Sequence, residues 1–181
     1  MKLNLGCGQE KLDGYINIDS EPLVKPDLVF DFVAAPLPYE KESIDEVVMF
    51  HTIEHIRKAS HPLILKRIHH VLKPEGRLTI SYPEFAECAR RWLDNYKGER
   101  KYWEATIFGR QLHPADTHLC AMDSNEFKMV LEENGFIAIA KFNEPMPNEF
   151  SSIITCRRST VFLNYEELVL RSMDKMVIQQ V

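Results

Sequence analysis

Short apolar runs broken by glycine, proline and acids open the chain. Runs at 2–5 (KLNL), 15–18 (YINI), 28–32 (LVFDF) and 45–50 (DEVVMF) have the length and residue types of strands. The period then changes. Leu65, Ile68, Val71 and Leu72 recur at helical spacing behind Ser60, His61 and Pro62, and proline suits a first helical turn. A helix is expected over about 60–72. The run KPEG at 73–76 ends it, and 77–82 (RLTISY) reads as a fifth strand. Residues 84–97 place Phe85, Cys88, Ala89 and Trp92 on one helical face, whereas 98–122 has no clear period. Asp123 and Glu126 form a capping box for a helix at 124–134, stopped by Gly135. Strands at 136–142 and about 151–157 follow, and 164–178 reads as a last helix.

Strands alternating with helices predict a doubly wound α/β fold with a mostly parallel, Rossmann-like sheet. The last two strands are joined by NEPMPNE, too short for a parallel crossover, so they must run antiparallel. Seven strands result, the last one reversed. The 181 residues suit one domain, 1–181, with an inserted segment at about 84–122 that is expected to cover the substrate.

Composition narrows the function classes. A formal net charge of −5 gives no basic surplus, so no nucleic-acid partner is expected; Arg90, Arg91, Lys97, Arg100 and Lys101 read as a solvated helix face. No apolar run approaches the roughly 18 residues of a membrane span, and MKLNLGC is too short in apolar length for a secretory signal. No membrane association is expected. Cys7, Cys88, Cys120 and Cys156 form no CxxC pair, which fits reduced thiols and a cytoplasmic setting.

Ligands of such sheets bind outside the carboxyl ends of the strands. After the first strand comes Gly6-Cys7-Gly8. A dinucleotide fingerprint needs a third glycine, but Lys11 stands there, and it places its ribose-binding acid about 20 residues on. Asp19 follows Gly6 by only thirteen positions, so a full first helix hardly fits. A pyrophosphate wants a helix N-terminus. A nucleoside ligand without phosphates loses less, with Asp19 placed for ribose hydroxyls, Asp31 for an adenine amino group and Phe32 as an apolar wall.

The segments LNLGCG, INID, LPYEKESIDEVVMFHTIEHI and LKRIHHVLKPEGRLTISYPEF together resemble the class I S-adenosylmethionine (SAM) dependent methyltransferases, most closely the small methyltransferase-type-11-like group. The resemblance is dense over roughly residues 3–87 and fainter over 113–140. It implies a seven-stranded sheet, SAM as cofactor, Gly6 and Gly8 beside its methionine part, Asp19 on the ribose and Asp31 beside the adenine. The expected cofactor set is Asn4, Gly6, Cys7, Gly8, Asp19, Ser20, Asp31, Phe32 and His51. The resemblance also puts His51, in FHTIEHI, nearest the transferred methyl, with His55 packing or hydrogen bonding below it. His118 takes the place of a histidine that often precedes the family's late capped helix.

Other readings of these residues compete. His51 and His55, four apart, would share a helical face as metal ligands do, but the zincin pattern fails at Glu54 and no metal is expected. His113, Asp116, His118 and Cys120 have metal-binding types, yet a loop fits them as well. Glu84, after the fifth strand, points to the cleft, although an acid in a first helical turn is favoured in any case. Methyl transfer to a hydroxyl or ammonium needs a base; His51 is the first candidate, His118 the second, and Glu84 an orienting group. The acceptor is expected to be a small molecule or glycan precursor. The alternative is a SAM-binding regulatory or degenerate protein without catalysis. No lid is expected ahead of the first strand, so the insert, the tail or a second subunit is expected to close the cleft. Phe162, Leu163, Leu168, Val169 and Leu170 would suit a homodimer interface.

Overall fold

The computed structural model describes residues 1–112, 114–144 and 150–160. Seven strands form one sheet: β1 Lys2–Leu5, β2 Ile16–Asp19, β3 Leu28–Val29, β4 Ile44–Phe50, β5 Leu72–Pro83, β6 Phe136–Asn143 and β7 Ser151–Arg158. Their order is β3-β2-β1-β4-β5-β7-β6. The first five are parallel neighbours, and β7 runs antiparallel between β5 and β6. The chain reverses its direction of strand addition between β1 and β4, which opens a crevice at their carboxyl ends.

The central strands are apolar because both faces are covered. Leu3 and Leu5 of β1 and Val47 and Met49 of β4 are fully buried. Helix α1, His61–Val71, buries Ile64, Leu65, Ile68 and Val71 on one stripe. Each such side chain contributes roughly 1.5–3 kcal/mol by leaving water. β5 takes in the KPEG turn that was expected to precede it. Its register against β4 shifts between Ile44 and Glu46, and Glu75 has a positive φ of 62°. Strand pairing resumes at Arg77, the first residue of the expected strand.

Two helices fill the segment after β5. Helix α2 is Phe85–Leu93, and helix α3, Arg100–Phe108, lies in the stretch that showed no period. Together they form a small core of their own, Cys88 and Trp103 with Phe150. Arg91 lies over the rings of Tyr96, Trp103 and Phe150 and pairs with Glu87 at 2.6 Å. Arg100 lies over Trp92, and Arg90 pairs with Glu87 and Asp94. Much of the basic cluster is therefore engaged within the chain. Helix α4, Ser124–Glu133, starts at Asp123, whose carboxylate accepts from the amides of Asn125 and Glu126. The reciprocal half of the capping box goes elsewhere, since Glu126 bonds Lys58 at 2.6 Å. Among the described residues, no helix is long and apolar enough to cross a membrane. The expected tail helix and the apolar tail residues lie outside the described residues, as does His113.

Candidate active site

The glycine loop is held by the strands around it. The amides of Gly6 and Cys7 both reach the Ile18 carbonyl of β2, at 2.8 and 3.1 Å. The Gly8 amide donates to Asp19 Oδ2 at 2.8 Å, and Asp19 Oδ1 accepts from the Glu21 amide at 2.9 Å. Three amides that a phosphate would need are thus already taken, and the anion at the loop is a carboxylate of the protein itself. That geometry is unsuited to a pyrophosphate cradle. It leaves Asp19 with free lone pairs for hydroxyl donors. Above Gly8 (φ 49°) a Cβ would meet nothing within 4 Å, so the loop opens there.

Gly6 is the opposite case. A Cβ on it would lie 2.2 Å from Thr52 Cγ2 and 2.6 Å from Thr52 Oγ1, and its φ is 69°. Thr52, just after β4, sets its hydroxyl within 3.0–3.3 Å of the carbonyls of Phe50, Leu5 and Gly6. The loops after β1 and β4 are locked together through this contact. Asn4 is buried, and its side-chain amine donates to the Glu10 carbonyl and to Asn17 Oδ1, both at 3.0 Å. Its contribution to the site is to hold the loop. Cys7 is buried, and burial, with Asp19 nearby, pushes its thiol up. Ser20 is exposed beside Asp19.

β3 ends two residues before Asp31, so this acid stands in the following turn rather than on the strand. It is exposed, and its Oδ1 accepts from the amides of Val33 and Ala34. Phe32 is buried and belongs to the main core.

His51 directly follows β4 in a left-handed conformation, φ 48°. Such a backbone is uncommon away from glycine and clusters at functional sites. It also separates His51 from the turn that follows, so His51 and His55 share no helical face; Ile53–His55 is a single 3-10 turn. His51 Nε2 lies 3.1 Å from Glu144 Oε1, and Nδ1 lies 3.5 Å from Glu54 Oε1. Burial disfavours the charged ring, but the two carboxylates outweigh it and push its pKa up to about 10. The ring is therefore an imidazolium at neutral pH, unlike the neutral base expected from sequence.

Glu84 lies at the start of α2. It accepts from the Ser124 amide at 3.1 Å, from Ser152 Oγ at 2.7 Å, from Lys141 Nζ at 3.2 Å and from Ser124 Oγ. Burial opposes its charge, but the bonds from Ser124, Ser152 and Lys141 prevail and hold its carboxyl below the usual range. This carboxylate caps α4 from outside and ties it to β6 and β7.

His118 sits in a segment that crosses the 3-10 turn after β4. The Leu119 amide donates to the Glu54 carbonyl at 2.8 Å. The rings of His55 and His118 meet edge to face at 4.7 Å. Burial pushes the His118 pKa down. Asp116 is buried and braces this segment, pairing with Arg110 at 3.2 Å. Cys120 Sγ faces the carbonyl of Ile56 at 3.5 Å, and its thiol is pushed up to about 11 by burial. All four cysteines are free thiols.

Thr52, Glu54 and Glu144 were not legible as site residues. Glu144 comes ninety-three positions after His51, from the short connection that the sequence marks only as too short for a crossover. Thr52 and Glu54 lie within FHTIEHI, where the histidines dominate the pattern.

A reversal of strand order between β1 and β4, a glycine loop whose amides are already taken and an acid at the end of β2 define an α/β nucleoside-binding protein. The comparisons make the class specific. The methyltransferase domain family matches residues 9–141, and the chain belongs to that family. It is a SAM-dependent methyltransferase, and its cofactor is SAM. A SAM-dependent methyltransferase of Methanosarcina mazei is similar in structure, with a TM-score of 0.61 at 15% identity, over 87% of this chain and 92% of that one. A protein of Pyrococcus horikoshii has a TM-score of 0.63 at 13% identity, over 87% and 81%. A SAM-dependent methyltransferase of Archaeoglobus fulgidus has 0.60 at 16%, over 87% and 85%. These likenesses carry the fold. No curated protein matches the sequence.

Proposed function

We propose that this methyltransferase transfers a methyl group to a small-molecule or glycan-precursor acceptor that enters beside His51. The observation that carries the reading is the strained, partly exposed His51 at the carboxyl end of β4, whose neighbour Thr52 contacts the glycine loop at Gly6. The residues present fit SAM, because the loop offers a carboxylate, Asp19, for ribose hydroxyls and no free amide array for phosphate. When bound, SAM supplies an electrophilic methyl on a sulfonium whose leaving group is neutral.

Asp19 is assigned to the ribose, Asp31 to the adenine side, and Gly8 to the open passage for the methionine part. Gly6, Asn4 and Thr52 position the loop. His51, held between Glu54 and Glu144, orients the acceptor; holding donor and acceptor in line is worth up to roughly 7–11 kcal/mol. His118 acts from the covering segment, and Glu84 supports α4 rather than the acceptor. Residues 1–181 are assigned to one domain, with the segment of about 84–122 over the site. Four free cysteines support a cytoplasmic protein. The apolar tail is the candidate homodimer contact.

Calorimetry with SAM and its demethylated product tests the cofactor site, and turnover on an acceptor panel tests catalysis. His51→Ala is expected to keep SAM affinity and to lose at least about tenfold in turnover. SAM binding with no turnover on any acceptor favours the non-catalytic alternative, and full activity in His51→Ala sinks the role given to that residue.

A further inference from the structure

Beneath the turn after β4 lies a carboxylate that no donor satisfies. Glu54 is 2% exposed, and among the described residues neither of its oxygens has a hydrogen-bond partner. A carboxylate removed from water is costly unless a cation or donors replace its hydration. The His51 ring, 3.5 Å from Oε1, is near enough for attraction but makes no hydrogen bond, and it also faces Glu144. The site asks for more positive charge.

Two histidines close around the same carboxylate. The donor atoms of Glu54, His55 and His118 all lie within 4.8 Å of one another. A tetrahedral ion with arms of about 2.0–2.1 Å holds its ligands roughly 3.3 Å apart, so modest side-chain rotations would complete the set. The second nitrogen of His55 is held as a metal site requires. His55 Nδ1 lies 3.1 Å from the Thr117 carbonyl, which places the N–H there and turns the Nε2 lone pair outward. Cys120 is not part of the set, because its sulfur rests on the carbonyls of the turn. His61 is likewise excluded, with Nε2 between the carbonyls of Ile53 and Ile56.

We propose that Glu54, His55 and His118 bind one divalent transition-metal ion of the zinc type. Two imidazoles and one carboxylate suit such an ion better than calcium or magnesium, which favour oxygen ligands. Three protein ligands leave a fourth position toward the narrow crevice lined by Pro83, Phe85, Ile107 and Met122. The ion fastens the crossing segment at His118 to the turn after β4, where the Leu119 amide already meets the Glu54 carbonyl. The tertiary fold creates this set, since His118 comes sixty-three positions after His55.

The test uses untagged full-length protein stripped with a chelator. Zinc is titrated by calorimetry and cobalt by visible absorption. The expected result is one ion per chain, a cobalt spectrum of low-coordinate nitrogen and oxygen ligation, and a higher Tm with zinc. Glu54→Gln and His118→Ala, each verified as folded by circular dichroism, should weaken binding by at least about tenfold, while the surface control His70→Ala should not. Absence of uptake by the wild-type protein overturns the proposal without any variant. Uptake that persists in both folded variants overturns it too, as adventitious binding. SAM affinity is measured separately, so failure here leaves the methyl-transfer reading standing.

Discussion

Removing the Glu84 carboxylate should destabilise the fold far more than it disturbs binding. Glu84→Ala takes the acceptor from the Ser124 amide, the Ser124 and Ser152 hydroxyls and Lys141. Ser124 and Ser152 are buried, so their donors have no water to turn to. A hydrogen bond to a charged group contributes about 1.5–3 kcal/mol, and the exposed Lys141 adds little. The Ser124 and Ser152 hydroxyls also touch each other at 3.2 Å, and Tyr82 donates to Ser124, so part of the loss is recovered by rearrangement. A net cost of about 3 kcal/mol follows, or roughly 6–12 °C in Tm for a chain of this size. Glu84→Gln, which keeps one acceptor oxygen, should lose about half of that. Urea unfolding followed by circular dichroism measures both. The pH dependence is a further check. The folded-state pKa of Glu84 is lowered, so its contribution is complete above the unfolded value of about 4.3 and is lost as pH falls through the folded value. The gap between wild type and Glu84→Gln should stay level from pH 6 to 8 and narrow on acidification. If Glu84→Ala left stability within about 0.5 kcal/mol and abolished turnover, the carboxylate would face the acceptor instead, and the capping argument would fall.

The remaining expectations concern the cofactor loop and the covering segment. Gly6→Ala meets both a positive φ and the Thr52 methyl, so it should cost at least about 2 kcal/mol in a denaturation curve. The double variant Gly6→Ala/Thr52→Ala should recover part of this in a double-mutant cycle, and strict additivity would disprove the contact. Asp19→Asn should weaken SAM binding by roughly tenfold to a hundredfold in calorimetry, the worth of charged hydrogen bonds to hydroxyls; unchanged affinity would remove Asp19 from the site. Gly109→Ala would set a Cβ 1.8 Å from the Asp116 carbonyl oxygen, so protease sensitivity should rise in the segment around 109–118. Leu131→Ala, on the core-facing side of α4, should cost about 2–5 kcal/mol.

The strands and α1 could be read from the chain because their periods are local. Leu65, Ile68 and Val71 announce a helix wherever it packs, and a seven-residue connection with two prolines cannot carry a parallel crossover. Helix α3 could not be read, because among its residues only Trp103 is buried, and one inward side chain makes no period. KPEG was legible as a break, but not as a bulge that strand pairing absorbs.

The sequence by itself determined the doubly wound sheet, the reversed last strand and a ligand with ribose but no pyrophosphate. The first two follow from the alternation of strands and helices and from the short NEPMPNE connection, and the third from the spacing of Gly6, Gly8 and Asp19 along one short stretch of backbone. Only the tertiary structure decided what the polar side chains do. It gave Glu84 to Ser124 and Ser152, set His51 between Glu54 and Glu144, and brought His118 against His55. Except for His51 with Glu54, three positions apart, those pairings join positions 40 to 93 residues apart, and the energy of a buried charge depends on its neighbours in space, which local order does not specify.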